Sequence, residues 1–196
     1  MACENCSKRY AGALIKIDSK GLCMECGAKI GSSVEENLKM SHNVHLSKWD
    51  KYFLTICKAV ASKSPCISRQ IGAIIVRDKS IISTGYNGPA RGFPHCNTDG
   101  VNECPRRSLG YQSGEGLEHC PAAHAETNAV ANAARVGVSV LGATMYLNTV
   151  IPCKFCAVSI VNAGIKEVVA VHLDYYHAVS QRIFLHGDVN VRSFNL

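Results

Sequence analysis

Apolar residues along the chain change their period several times, and each change marks an element. Trp49, Phe53, Ile56, Cys57 and Val60 recur at helical spacing, which predicts an amphipathic helix with one buried face. Ser47 is placed to cap it, and Asp50 puts an acid in the first turn. Cys57 falls on the apolar face and reads as core. Two short branched runs follow, 71–76 and 80–85, turned at Asp78-Lys79, as expected of a hairpin. An alanine-rich helix opens at His124 and closes at Val136-Gly137. Thr144 to Leu147 reads as a strand. Pro152 opens a further helix that runs to Gly164, since a missing amide is harmless in a first turn. The apolar run 167–171 is a strand, residues 176–185 a helix, and 189–191 a last strand. This βα alternation predicts an α/β fold with a sheet covered by helices on both faces.

Three stretches do not fit that rhythm. Residues 1–31 read as a small separate unit and 32–46 as a polar linker, leaving 47–196 as the main domain. Within that domain, the segment from Ala90 to Pro121 is glycine-rich and without period. Long irregular segments are usually functional or tied down.

The chain has 196 residues, 47% of them apolar, enough for one ordinary domain plus something small. No apolar run is long enough to span a membrane, and no secretory leader pattern stands at the start. Eleven cysteines with no export signal point to a reducing, cytoplasmic setting and not to disulfides. The net charge of +6 is scattered, without a Lys/Arg block. That balance suits a phosphorylated small molecule and is weak support for nucleic acid.

The chemistry gathers in two stretches, His124-Ala125-Glu126 and Pro152-Cys153-Lys154-Phe155-Cys156. One imidazole and two thiolates leave one position of a tetrahedral zinc open to water, the mark of a catalytic and not a structural ion. Zinc brings the pKa of such a water down to about 7. Glu126, two residues after the histidine, is suited to carry a proton beside the metal. His-x-Glu joined to Pro-Cys-x-x-Cys is the signature of zinc nucleobase deaminases.

Two further metal sites are expected. Cys3, Cys6, Cys23 and Cys26 form two C-x-x-C knuckles at zinc-ribbon spacing; four thiolates would close a structural zinc that stabilises the small unit. A second structural zinc would tie down the irregular segment. The best set for it is Cys66, His95, Cys104 and Cys120, which spacing alone does not fix.

The stretch from about Cys66 to Asp174 resembles the deoxycytidylate (dCMP) deaminases. The residues that carry the likeness are Ile71-Gly72-Ala73, the run 81–88 ending in Gly85-Tyr86-Asn87-Gly88, His95-Cys96, the run 124–129, the run 149–156 and the run 163–166. The Gly-Tyr-Asn-Gly loop separates this family from cytidine, tRNA and guanine deaminases, which share only the metal motifs. The resemblance implies a cytidine-deaminase-like three-layer α/β/α fold with a five-stranded mixed sheet, to which the N-terminal ribbon is an addition. It implies hydrolysis of dCMP to dUMP and ammonia, with Glu126 protonating N3 of the base and then the departing amine. It places Asn87 at the sugar or phosphate of the nucleotide; Arg69 and Tyr175 are candidates for phosphate contact, and Ala125 is read as a further substrate contact. It also implies a homo-oligomer, with a hexamer favoured, activated by dCTP and inhibited by dTTP with Mg2+. One extra residue between Tyr146 and Pro152 departs from the family pattern, so a bulge is expected at that strand end.

Two other readings stand beside this one. The substrate of the same chemistry would be dCTP or a dCMP with a modified base, or the chain would edit a polynucleotide held by the ribbon. The second needs a basic groove with stacking aromatics, and aromatic content here is 7%. A non-catalytic binding protein on the same scaffold is argued against by the intact His124, Glu126, Cys153 and Cys156.

Overall fold

The computed structural model describes residues 46–96, 103–112, 114–175 and 178–194. The ribbon cysteines Cys3, Cys6, Cys23 and Cys26, and all of the linker but Leu46, lie outside these residues.

Helix α1, Lys48–Ala61, starts as its sequence requires. The Ser47 side chain accepts from the Asp50 amide, and the Asp50 carboxylate accepts from the Ser47 amide, a complete capping box. Strands β1, Gly72–Arg77, and β2, Ser80–Tyr86, form the expected hairpin. Asp78 and Lys79 both take positive φ, at 51° and 59°, as a two-residue hairpin turn demands. A pair of two-residue strands, β3 (Gly88–Pro89) and β4 (Ala122–Ala123), closes the irregular segment at its base. Between them lie the short helix α2, Pro105–Ser108, and a 3-10 turn, Leu117–His119. Helix α3 is Ala125–Arg135, β5 is Thr144–Leu147, β6 is Val150–Ile151 and α4 is Lys154–Asn162. Strands β7 (Glu167–Ala170) and β8 (His172–Tyr175), helix α5 (Ala178–His186) and β9 (Asn190–Ser193) follow.

The main sheet has five strands in the order β2-β1-β5-β7-β9. Its first three are antiparallel and its last three parallel, so the five-stranded mixed sheet expected from the sequence is present. The period-2 alternation of the strands sorts side chains to two faces. Ala73, Ile75, Met145, Leu147 and Val168 face α3, α4 and α5, meeting Ala129, Ile160 and Phe184. Ile74, Val76, Tyr146 and Val169 face α1, meeting Phe53, Leu54 and Cys57. Cys57 is fully buried in this layer, and its thiol donates to the Tyr146 carbonyl at 3.3 Å, a core residue as expected.

Two glycines let both helical layers approach. A Cβ on Gly72 would strike the backbone of Cys57 and Ala61 in α1, and one on Gly85 would strike the backbone of Ala125 and Ala129 in α3. Helix α3 therefore lies directly on β2, which fixes the height of its N-terminus above the sheet.

Several expectations need correction. Trp49 does not join the buried face; it is 45% exposed, beneath Lys79, while Asp50 is buried in its place at 3%. The helix expected from Pro152 begins two residues later, with Cys153 as its N-cap. The strand expected to run to Val171 ends at Ala170, and the chain turns into β8, which pairs in parallel with β6. That pairing shifts register between Val150 and Ile151, an irregularity in the stretch where the extra residue is read.

Candidate metal centre and substrate cavity

Two helix starts bring the ligands together. His124 is the N-cap of α3 and Cys153 the N-cap of α4, both in extended backbone, and Cys156 is the third residue of α4. Helix N-termini favour negative charge, which suits thiolates. His124 Nδ1 lies 3.5 Å from Cys153 Sγ and 3.3 Å from Cys156 Sγ. Donors bound tetrahedrally to one zinc would stand about 3.6 Å apart, given bond lengths near 2.0 and 2.3 Å. The donor set and its spacing therefore fit that ion, with imidazole Nδ1 as the ligating nitrogen. Among the described residues, this is the one group of three or more His, Cys, Asp or Glu side chains with ligand atoms all within 4.8 Å.

The electrostatics of the trio are those of donors awaiting a cation. A hydrogen bond from the Cys156 thiol, joined by one from His124, holds Cys153 far below the usual thiol range. Cys156, facing that sulfur, is pushed up. The hydrogen bond to Cys153 raises His124 as well, against its partial burial. A divalent cation would take the place of these shared protons.

Glu126 is 5% exposed and lines the same cavity as His124 and Cys153. Burial pushes its carboxyl up. A carboxyl so tuned takes and returns a proton near neutrality more readily than a surface acid does.

The cavity in front of these residues has a volume of about 130 Å³. Its walls come from the segment before β1 (Cys66 to Ile71), the irregular segment, and residues 149–153. Arg69 is exposed and lines it. Asn87 also lines it, but most of its amide is already engaged. Its Oδ1 accepts from the Ile71 amide at 2.8 Å and the Ser64 hydroxyl at 2.7 Å, and its Nδ2 donates to the Arg69 carbonyl at 2.8 Å. One amide hydrogen remains for a ligand. Asn87 thus builds the wall that carries Arg69. Ala125 is fully buried and can offer only its backbone N–H. Tyr175 ends β8 opposite Ile151, two residues from Cys153. The Gly-Tyr-Asn-Gly loop is pinned to α3: Asn128 Nδ2 donates to the Tyr86 carbonyl and Asn132 Nδ2 to that of Thr84, both at 2.8 Å.

Members of the set Cys66, His95, Cys104 and Cys120 are found on two cavities. Cys66 and Cys120 line the first cavity, whereas His95 lines a separate one of about 360 Å³ with Arg91, Asn128 and Asn132. Cys96, passed over in the sequence, neighbours the three cysteines of that set. Its thiol is raised by burial, then by the neighbouring Cys104, Cys120 and Cys66. The adjacent His95-Cys96 pair gave two candidate donors, and the irregular backbone around them gave no period to choose by. Ser64 and Arg106 were also missed, since nothing in their local pattern sets them apart.

Residues 47–172 match the family described as the cytidine and deoxycytidylate deaminase zinc-binding region. The deoxycytidylate deaminase of Schizosaccharomyces pombe is 41% identical over 121 residues, 62% of this chain and 36% of the yeast protein. This chain therefore spans about a third of that relative's length. The deoxycytidylate deaminase of Mycobacterium phage D29 is 40% identical over 126 residues, 62% of this chain and 92% of the phage protein. Among solved structures, the dCMP deaminase of cyanophage S-TIM5, in complex with dCMP and dUMP, superposes with a TM-score of 0.60 at 24% identity. That match covers 76% of this chain and 100% of the phage chain, and it shows the same fold.

Proposed function

The chain belongs to the cytidine and deoxycytidylate deaminase zinc-binding family, and from that premise we propose that it hydrolyses dCMP to dUMP and ammonia, supplying dUMP for thymidylate synthesis. The observation that carries this reading is the convergence of His124, Cys153 and Cys156 beside the buried carboxyl of Glu126, on one cavity. Zinc held by the three ligands would supply a water made acidic enough to attack at neutral pH. Glu126 would take one proton from the attacking water and deliver it to N3 of the base, then carry the proton of the added hydroxyl to the leaving amine. Arg69 faces the phosphate as a bidentate donor. Asn87, Ala125 and Tyr175 complete the contacts, the first through its remaining amide hydrogen and the second through its N–H.

Regulation by dCTP and dTTP with Mg2+ belongs to this proposal, as does assembly into a homo-oligomer, a hexamer by expectation. Support for an effector site comes from the second cavity, whose Arg91 and His95 offer cationic and polar groups beside the Gly-Tyr-Asn-Gly loop. Phe155 and Val158 stand exposed on α4, at 69% and 45%, as apolar side chains that another copy would cover. No helix of the described residues is long and apolar enough to cross a membrane; cytoplasmic placement is part of the proposal. Two structural zinc ions are proposed further, one on Cys3, Cys6, Cys23 and Cys26. The other uses Cys66, Cys104 and Cys120, with Cys96 in the place first given to His95.

The test is ammonia release from the purified protein with dCMP, dCTP, deoxycytidine and a cytosine-containing single strand in parallel. Turnover of dCMP, raised by dCTP and lowered by dTTP, is expected. Turnover of dCTP in preference to dCMP would move the substrate within the class. Turnover confined to the single strand would overturn the nucleotide reading and make the ribbon the part that selects substrate.

A further inference from the structure

A second arginine stands in the cavity wall, and the metal chemistry does not use it. Arg106, in the short helix α2, is 8% exposed and lines the cavity that holds His124, Glu126 and Cys153. Its Nε donates to the Glu115 carbonyl, and its Nη2 donates to the Gln112 carbonyl at 2.6 Å. Both partners are neutral. Among the described residues, no carboxylate lies within ion-pair distance of it. Arg192, which is only partly buried, is by contrast gripped by two carboxylates.

A buried permanent cation without a counter-charge is costly, and proteins pair such groups or reserve them for an anionic ligand. The two carbonyl bonds explain part of the arrangement, since they close the turn between α2 and the 3-10 helix. A neutral donor would serve that purpose without the burden of charge. The third nitrogen, Nη1, has no partner among the described residues. Arg106 lines the cavity, which is where its remaining nitrogen can meet a ligand. Charge on the cavity wall points the same way. Arg69 and Arg106 stand on it together, against the single carboxyl of Glu126.

We propose that Arg106 is the buried half of a two-arginine clamp that reads the phosphate of the nucleotide, with Arg69 as the exposed half, so that this pair selects a nucleotide over a nucleoside. This rests on the proposed deamination of dCMP and assigns the residue that makes the phosphate count. The carbonyls of Gln112 and Glu115 hold the guanidinium plane in place before substrate arrives, so little ordering is left to do on binding. The same bonds tie the cation to Gln112 and Glu115, beside Gly114 on the cavity wall.

The experiment compares kcat and KM for dCMP and for deoxycytidine in the parent, Arg106→Ala and Arg106→Lys, with zinc content and Tm on each. A charge-assisted hydrogen bond lost to Arg106→Ala should lower kcat/KM for dCMP by roughly 10- to 100-fold, mainly through KM. Turnover of deoxycytidine should stay within about twofold, because that substrate never touches the clamp. Arg106→Lys keeps the charge but not the fork, and should fall between the two for dCMP alone. Equal losses on both substrates, or a fall in zinc content and Tm that carries both down together, would overturn the proposal and leave Arg106 as a staple for the loop. A parent protein that does not turn over dCMP would fail the functional reading itself, a result distinct from either.

Discussion

The guanidinium of Arg192 on β9 grips the carboxylate of Asp50 on α1 fork to fork, Nη1 to Oδ2 at 3.2 Å and Nη2 to Oδ1 at 3.1 Å. The same guanidinium donates through Nε to Glu167 at 2.9 Å, and the Tyr146 hydroxyl donates to Asp50 at 3.0 Å. Helix α1 is thus locked to three strands through one buried acid. Asp50 also closes the helix cap, so a single side chain serves the start of the helix and its docking. Asp50→Ala leaves the arginine facing a void in the core wall and should cost about 3–5 kcal/mol in urea unfolding.

The pH dependence of that lock follows from its sign. Burial alone would raise Asp50, but hydrogen bonds from Arg192, Ser47 and Tyr146 outweigh it and hold the carboxyl below its ordinary 3.8. A group lowered on folding contributes fully above its unfolded value, and the contribution is lost as pH falls through the folded one. The Tm gap between the parent and Asp50→Asn should be level from about pH 5 to 8 and shrink below about pH 4. A gap that widens in acid would refute this account of the lock.

Gly85 sets the height of the metal site. Its Cβ has no room against the backbone of Ala125 and Ala129, and backbone cannot step aside as a flexible side chain can. Gly85→Ala should destabilise by about 1–3 kcal/mol and displace His124 and Glu126, so zinc content and activity fall together. Ser83→Ala, which removes only a hydroxyl bond to the Ala129 carbonyl at 2.6 Å, should cost about 1 kcal/mol and keep its zinc. Metal analysis beside Tm on both variants separates lost helix position from lost stability.

Glu126 is not among the three side chains grouped as ligands. Glu126→Gln should therefore hold zinc at parental level while kcat falls by at least about 10² to 10⁴. Glu126→Ala should behave alike, and activity near the parent's would end the proton-carrying role. Cys153→Ser, by contrast, should lose the metal along with the turnover.

The sequence made the sheet and the metal trio legible for a physical reason. Strand runs such as 71–76 and helix runs such as 124–134 carry their period locally, and His124, Glu126, Cys153 and Cys156 sit at fixed spacings on helix starts. The lock of Asp50, Tyr146, Glu167 and Arg192 was not legible, because its members come from four elements and each alone looks like an ordinary surface residue. Trp49 misled for the complementary reason. Its apolar character fits the helical stripe, yet the helix rotates Asp50 inward because a carboxylate with four partners is buried at less cost than its charge suggests. In the irregular segment there was no period to read, so nothing in the sequence chose between His95 and Cys96.

Zinc stoichiometry tests the ligand sets one by one. Cys3→Ser with Cys6→Ser should remove about one ion per chain and leave the His124, Cys153 and Cys156 site loaded, since a closed structural site takes four ligands of its own. Cys96→Ser should remove one ion of its own, while His95→Ala should not. Unchanged zinc in the first variant would dispose of the ribbon, and a loss in His95→Ala without one in Cys96→Ser would restore the set read from the sequence.

Cys57 provides a contrast with these cysteines. It is fully buried between α1 and the sheet, and burial pushes its thiol up to about 12. At pH 8 its thiolate fraction is on the order of 10⁻⁴, too small for attack on an alkylating reagent even if the reagent could enter. Cys66 and Cys120 are partly exposed on the cavity and lack that protection. A brief pulse of N-ethylmaleimide after chelation, read by peptide mass spectrometry, should label Cys66 and Cys120 and spare Cys57. Labelling of Cys57 at the same rate would mean that α1 opens away from the sheet in the native state. That opening would break the Asp50–Arg192 fork, so Asp50→Ala should speed the labelling of Cys57 specifically.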